Sequence, residues 1–150
     1  MRVAIGSDHA GFALKGELCN LLDELRIEYR DFGTFSDEPV DYPDFIAPVA
    51  RAVARGEFEL GIVLGGSGTG EAIVANKIRG IRCVQATNPV VARLAREHNN
   101  ANVIAFGARI VGTEVARACV REFLTAQFQG GRHVPRLEKL ARIEAEEAGR

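Results

Sequence analysis

The sequence predicts an α/β fold, a doubly wound five-stranded parallel sheet followed by a C-terminal helix. Two observations carry that expectation. Short apolar segments of strand length alternate with longer segments of helical periodicity along the chain. The most apolar short segment, Leu60–Leu64, runs into a glycine-rich loop and then a helix, the strand–loop–helix order of a parallel sheet.

Arg2–Gly6 reads as the first strand. Phe12–Arg26 follows as a helix, with Leu14, Leu18, Leu21, Leu22 and Leu25 at helical spacing. Glu28–Phe32 is a weaker strand, and Gly33 to Pro43 a loop. Asp44–Arg55 carries Ile46, Val49, Ala50 and Val53 on one helical face, with Gly56 as its stop. Leu60–Leu64 is the third strand, and the next helix is expected from near Gly70 to Gly80. Ile81–Ala86 is the fourth strand, and Pro89–Glu97 a helix with proline in its first turn. Val103–Phe106 is the fifth strand, Thr113–Phe128 a helix, and Gly130-Gly131 a break. Val134–Glu147 forms a last charged helix, which is either a solvated face or an arm that packs on a partner subunit.

Residues 1–150 are expected to form a single domain, long enough for a full hydrophobic core. The composition, 47% apolar and 26% charged, is that of a soluble globular protein. A net charge of −1 argues against a general nucleic-acid or membrane surface. No apolar run is long enough to span a bilayer, and Met1–Gly6 reads as a strand rather than a signal peptide. Cys19, Cys83 and Cys119 are odd in number and lack CxxC spacing, which fits reduced, packed thiols. The expected compartment is therefore the cytoplasm.

Ligands of such sheets bind at the carboxyl ends of the strands. Those ends are Gly6-Ser7-Asp8-His9, Gly65 to Glu71, Thr87-Asn88 and Gly107-Ala108-Arg109. The loop Gly65-Gly66-Ser67-Gly68-Thr69-Gly70 leaves backbone N–H groups free to face an anion. Glu71 closes it with a carboxylate, which would repel a phosphate. Glu71 either complements the dipole of the following helix or acts as the base that forms an anion held by the loop. Two nucleotide motifs fail here. A dinucleotide fingerprint has Glu71 where its third glycine belongs, and no acid ends strand four. A P-loop would need Lys and Ser/Thr where Glu71 and Ala72 stand.

Asp8-His9 directly follows the first strand. His98-Asn99-Asn100 ends a helix, where histidine and asparagine also serve as C-terminal capping residues. Arg132 and Arg136 are four apart and share a face at the start of the last helix, a pairing suited to phosphate. Arg109 ends strand five. His9, His98 and His133 have no metal-ligand spacing, and Ser67 is not in a GxSxG elbow, so neither a metal site nor an acyl-transfer serine is indicated.

An ordered set of segments is similar to a known family. It comprises Gly6-Ser7-Asp8-His9-Ala10-Gly11-Phe12, Asp41-Tyr42-Pro43, Gly66 to Glu71, Ala75-Asn76-Lys77, Arg96-Glu97-His98-Asn99, Phe106-Gly107-Ala108-Arg109, and Arg132-His133 with Arg136. From Met1 to about Arg142 the chain resembles the type B ribose-5-phosphate isomerases, a family that includes the galactose-6-phosphate isomerase subunits. The resemblance implies the doubly wound, Rossmann-like sheet. It also implies a homodimer or tetramer with active sites shared between subunits. One branch of the family carries a cysteine base just before the glycine loop, where this chain has Gly65. The other has serine in the loop and glutamate after it, matching Ser67 and Glu71.

The implied activity is an aldose–ketose isomerisation through a cis-enediolate, ribose 5-phosphate to ribulose 5-phosphate, with Glu71 as base. By the same resemblance the N–H groups of Gly66, Ser67, Gly68, Thr69 and Gly70 and the Ser67 hydroxyl stabilise the enediolate. His98 opens the furanose ring, and Asp8 and Asn99 hold sugar oxygens. His9, Arg109, Arg132 and Arg136 surround the phosphate. No cofactor or metal is called for. The alternatives are allose or galactose 6-phosphate, erythrulose 4-phosphate, or a regulatory α/β domain that binds a nucleotide. A four-carbon sugar phosphorylated at O4 forms no furanose, so His98 favours a five- or six-carbon substrate.

Overall fold

The computed structural model describes residues 1–149. Its elements are β1 (Arg2–Ser7), α1 (Phe12–Glu24), β2 (Glu28–Asp31), α2 (Tyr42–Ala54), β3 (Leu60–Gly65), α3 (Thr69–Asn76), β4 (Cys83–Gln85), α4 (Pro89–Asn99), β5 (Val103–Gly107), α5 (Thr113–Thr125) and α6 (Val134–Ala148), with a 3₁₀ turn at Gly131–His133 before α6. All strand pairs are parallel, and the strand order is β2-β1-β3-β5-β4. The five-stranded parallel sheet and the C-terminal helix are as the sequence implies.

Alternation along the strands splits the core into two layers. Val3, Ile5, Ile62, Leu64, Ile104 and Phe106 face α1, α4 and α5, packing on Leu18, Leu21 and Phe123. Ala4, Val63, Val103 and Ala105 face α2 and α3, packing on Ile46, Val49 and Val53. Burial on both faces explains why β3 and β5 are apolar throughout.

Element ends depart from the expected ones for local reasons. β4 begins at Cys83 rather than Ile81, because the Arg82 N–H donates to the Asn102 side chain (2.8 Å). Helix α3 ends at Asn76, not Gly80. The Asn76 amide instead pairs with the Cys83 backbone, accepting from its N–H (2.8 Å) and donating to its carbonyl (2.9 Å). Helix α5 stops at Thr125, before Phe128, where Ala126 turns extended. Asn88 caps α4 by accepting the Val91 N–H (3.0 Å), and Asn100 ends that helix in the left-handed region at φ 45°. Helix α6 buries no residue and leaves Leu140 and Ile143 exposed.

Candidate active site

Strand order reverses between β1 and β3, which places a crevice beyond their carboxyl ends. An open cleft of about 470 Å³ lies there, lined by Asp8, His9, Tyr42, Ser67, Glu71 and Arg109 among others. Gly66, Thr69 and Gly70 also line it.

Each side chain is placed by backbone that the sequence makes locally compulsory. Gly68 turns the loop into α3 at φ 84°, and a Cβ there would lie 2.9 Å from the Gly107 nitrogen. The Gln85 amide donates to the Ser67 carbonyl (2.6 Å), fastening the loop over β5. The Ser67 hydroxyl lies 2.7 Å from that of Thr69 and accepts the Thr69 N–H (3.2 Å). Arg109 is anchored through its N–H to the Gly66 carbonyl (2.9 Å), and its guanidinium lies against Gly66. Tyr42 packs its ring on the Gly70 backbone, where a Cβ would sit 2.8 Å from the ring.

Asp8 is buried and accepts the Gly11 N–H (3.0 Å). His9 Nδ1 accepts the Val40 N–H (3.1 Å), so the neutral ring carries its proton on Nε2. Glu71 is only 3% exposed. Burial raises its carboxyl above the usual carboxylate range and the charge of Asp8 adds to this, while its own N–H and that of Gly68 pull the other way. Its Oε2 is buried without a partner, which leaves a lone pair free for a proton from a ligand.

Gly65 explains where that carboxylate fits. A Cβ on residue 65 would occupy the space of the Glu71 carboxyl group itself. A side chain at 65 and a carboxylate at 71 therefore compete for one volume. Gly65→Ala is expected to push the carboxylate aside and lower kcat by roughly 10²-fold, the scale of an ångström-sized misplacement. Steady-state kinetics on a variant with native circular dichroism would check this, and an unchanged kcat would mean the carboxylate has room elsewhere.

His98, Asn99, Arg132 and Arg136 do not line this cleft. The topology shows why. Helix α4 starts beyond the carboxyl end of β4 and runs back antiparallel to the strands over 11 residues, roughly 16 Å. Its last residues lie at the amino ends of the strands, where the Arg82 guanidinium donates to the Asn99 carbonyl (3.0 Å) just before β4 begins. There the His98 ring stacks on His133, with centroids 4.4 Å apart and planes 19° apart. Phe128 packs against His133 at 6.4 Å, and the Gln129 N–H donates to the Glu97 carbonyl (3.0 Å). Burial, then His98, Arg132 and Arg136, hold His133 below its usual pKa, which disfavours the charged form of the ring. One chain thus forms two clusters, a Glu71 cleft and a His98–His133 cluster beside Arg132 and Arg136.

Sequence reasoning left Tyr42 without a role and treated His133 only as part of a motif. The sequence sets Tyr42 just before Pro43, and only the fold lays its ring on the Gly70 backbone. Nothing local marks the His98–His133 stack. Among the described residues, no group of three or more His, Cys, Asp or Glu could hold a metal, and no helix is long and apolar enough to cross a membrane.

The ribose/galactose isomerase family matches residues 3–140. The chain is 48% identical over 143 residues to ribose-5-phosphate isomerase B of Escherichia coli, covering 95% of this chain and 96% of that one. It is 38% identical over 149 residues to D-erythrulose-4-phosphate isomerase of Pectobacterium atrosepticum, covering 98% and 97%. Among solved structures, ribose-5-phosphate isomerase B of Clostridium thermocellum superposes with a TM-score of 0.96 at 48% identity, covering 98% of this chain and 99% of that one.

Proposed function

The chain belongs to the ribose/galactose isomerase family, and from that premise we propose that it interconverts ribose 5-phosphate and ribulose 5-phosphate. The observation that carries the mechanism is a buried, raised-pKa carboxylate, Glu71, set beside a loop of backbone donors. Glu71 takes the proton from C2, leaving a cis-enediolate, and returns it to C1, while the O2 hydroxyl proton passes to O1, so that C1 becomes the alcohol and C2 the ketone. The N–H groups of the loop Gly66 to Gly70 that Glu71 and the Ser67 hydroxyl do not already engage, with that hydroxyl, meet the developing oxyanion, each such donor being worth about 2.7–4 kcal/mol of barrier. Asp8 and Asn99 hold sugar oxygens. His9, through its Nε2–H, and Arg109 bind the phosphate with Arg132 and Arg136. That anchor at the non-reacting end positions C1 and C2.

A coupled assay across ribose, allose, galactose and erythrulose phosphates tests the substrate. Ribose 5-phosphate should give the highest kcat/KM. Preference for the erythrulose phosphate would favour the activity named for the Pectobacterium relative. ATP or NAD binding without turnover would replace the isomerase reading altogether.

The two clusters become one site if a second copy of the chain brings His98, Asn99, Arg132 and Arg136 to the Glu71 cleft. The uncovered α6 suits such a contact. Mixing and reassociating Glu71→Gln with Arg132→Ala/Arg136→Ala chains should then restore about a quarter of wild-type activity, because each mixed dimer contains one intact site. No restoration, despite subunit exchange shown by mass spectrometry, would place all the functional groups within one chain.

The acid limb of kcat/KM follows from Glu71. A base works deprotonated, so activity rises with pH through its raised pKa, and the limb lies above the usual carboxylate range. Asp8→Asn removes the neighbouring charge, so the limb should move to lower pH, only partway because burial remains the larger cause. An unmoved limb would assign it to another group.

A further inference from the structure

Lys15 is 1% exposed, among the largest fully buried side chains of the described residues, and the mechanism makes no use of it. Its ammonium donates to Asp31 Oδ1 (2.7 Å) and to the Thr34 carbonyl. The rings of Phe12 and Phe35 lie 5.6 and 5.1 Å away. Asp31 Oδ1 also accepts the Gly33 N–H (2.8 Å). A buried ion pair adds little stability over apolar side chains of similar volume, so stability does not account for an ammonium here. What it does have is location. Both acceptors belong to the exit of β2, where the chain leaves the sheet as a strap running from Gly33 to Asp41.

That strap has little else to hold it. Gly33 and Thr34 pair with the Ser7 backbone at 2.7 and 2.8 Å. From Phe35 to Val40, the one hydrogen bond to the rest of the protein among the described residues is the Val40 N–H on His9 Nδ1, and the Asp41 carbonyl then accepts the Asp44 N–H (3.2 Å). The strap then enters α2 at Tyr42, which leans on the catalytic loop. The Lys15 knot at one end and α2 at the other thus determine where the Val40 amide lies.

We infer that Lys15 is a positioning residue for His9. By knotting the start of the strap it brings the Val40 N–H to Nδ1, which fixes the His9 ring in one plane and one tautomer with Nε2–H facing the cleft. The inference rests on the reading of His9 as a phosphate ligand, and its test separates the two. Lys15→Met keeps most of the volume and removes the charge. Asp31 is 29% exposed at its side chain, so water can solvate the carboxylate left behind.

Three readouts apply to the full-length variant. Long-range ¹H–¹⁵N NMR should show the single Nε2–H tautomer of His9 in the wild type and a mixture of tautomers in the variant. Amide exchange at Val40 should become roughly tenfold faster, the scale of one lost hydrogen bond. KM for ribose 5-phosphate should rise several-fold with a smaller change in kcat. An unchanged tautomer and unchanged Val40 protection would overturn the inference. Changed NMR signals with an unchanged KM would leave Lys15 as the positioner of His9 and remove His9 from the phosphate site. If Lys15→Met does not fold, Asp31→Asn, which weakens the knot but keeps an acceptor for the Gly33 N–H, should shift the same signals in the same direction. The absence of any shift in that variant would equally overturn the inference.

Discussion

Glu71→Gln is expected to lower kcat by about 10²–10⁴-fold, the usual contribution of a positioned base, with KM close to that of the wild type. The amide keeps the shape that fits beneath Gly65 but has no basic lone pair to receive the C2 proton. An interaction made only in the transition state is lost, so the defect falls on kcat rather than on binding. Solvent exchange gives an independent measure. Wild-type enzyme in deuterated water should wash deuterium into C2 of ribose 5-phosphate during equilibration, and Glu71→Gln should suppress that exchange in parallel with turnover. If Glu71 only complements the dipole of α3, its removal would cost about 0.3–1 kcal/mol of stability and leave kcat intact. Retention of most of the kcat in a folded variant would therefore end the assignment of Glu71 as base.

The cleft around Glu71 was legible because topology alone sends its residues to one place. Asp8, His9, Glu71 and Arg109 each follow a strand of a parallel sheet, and carboxyl ends converge. Strand order was not legible. The neighbouring of β1 and β3, which sets Asp8 near enough to Glu71 to raise its pKa, depends on packing that periodicity does not encode. Nor was the exchange of volume between Gly65 and the Glu71 carboxyl, since a glycine in sequence says only that a side chain is missing. Short elements were read less well than long ones. Arg82 and Asn76 moved the ends of β4 and α3 through side-chain bonds to backbone, contacts that depend on tertiary neighbours. The stack of His98 on His133 joins the ends of two helices 35 positions apart, again without local signature.

The second large effect concerns ring opening. Ribose 5-phosphate is mostly cyclic, so a group that opens the furanose should be needed for it and dispensable for an open-chain substrate of similar length. His98→Asn is expected to slow conversion of ribose 5-phosphate by about 10²–10⁴-fold and to spare the open-chain substrate, because Glu71 and the Gly66–Gly70 loop are untouched. His98 stacks on His133, which fixes the plane of its ring. His133→Phe therefore serves as the control. It keeps an aromatic platform and should lose far less activity than His98→Asn. If His98 merely caps α4, the His98→Asn variant would melt slightly earlier, by about 0.3–1 kcal/mol, and would treat the two substrates alike. Equal, large losses on both would instead tie His98 to binding or to the proton transfer, since an open-chain sugar has no ring left to open.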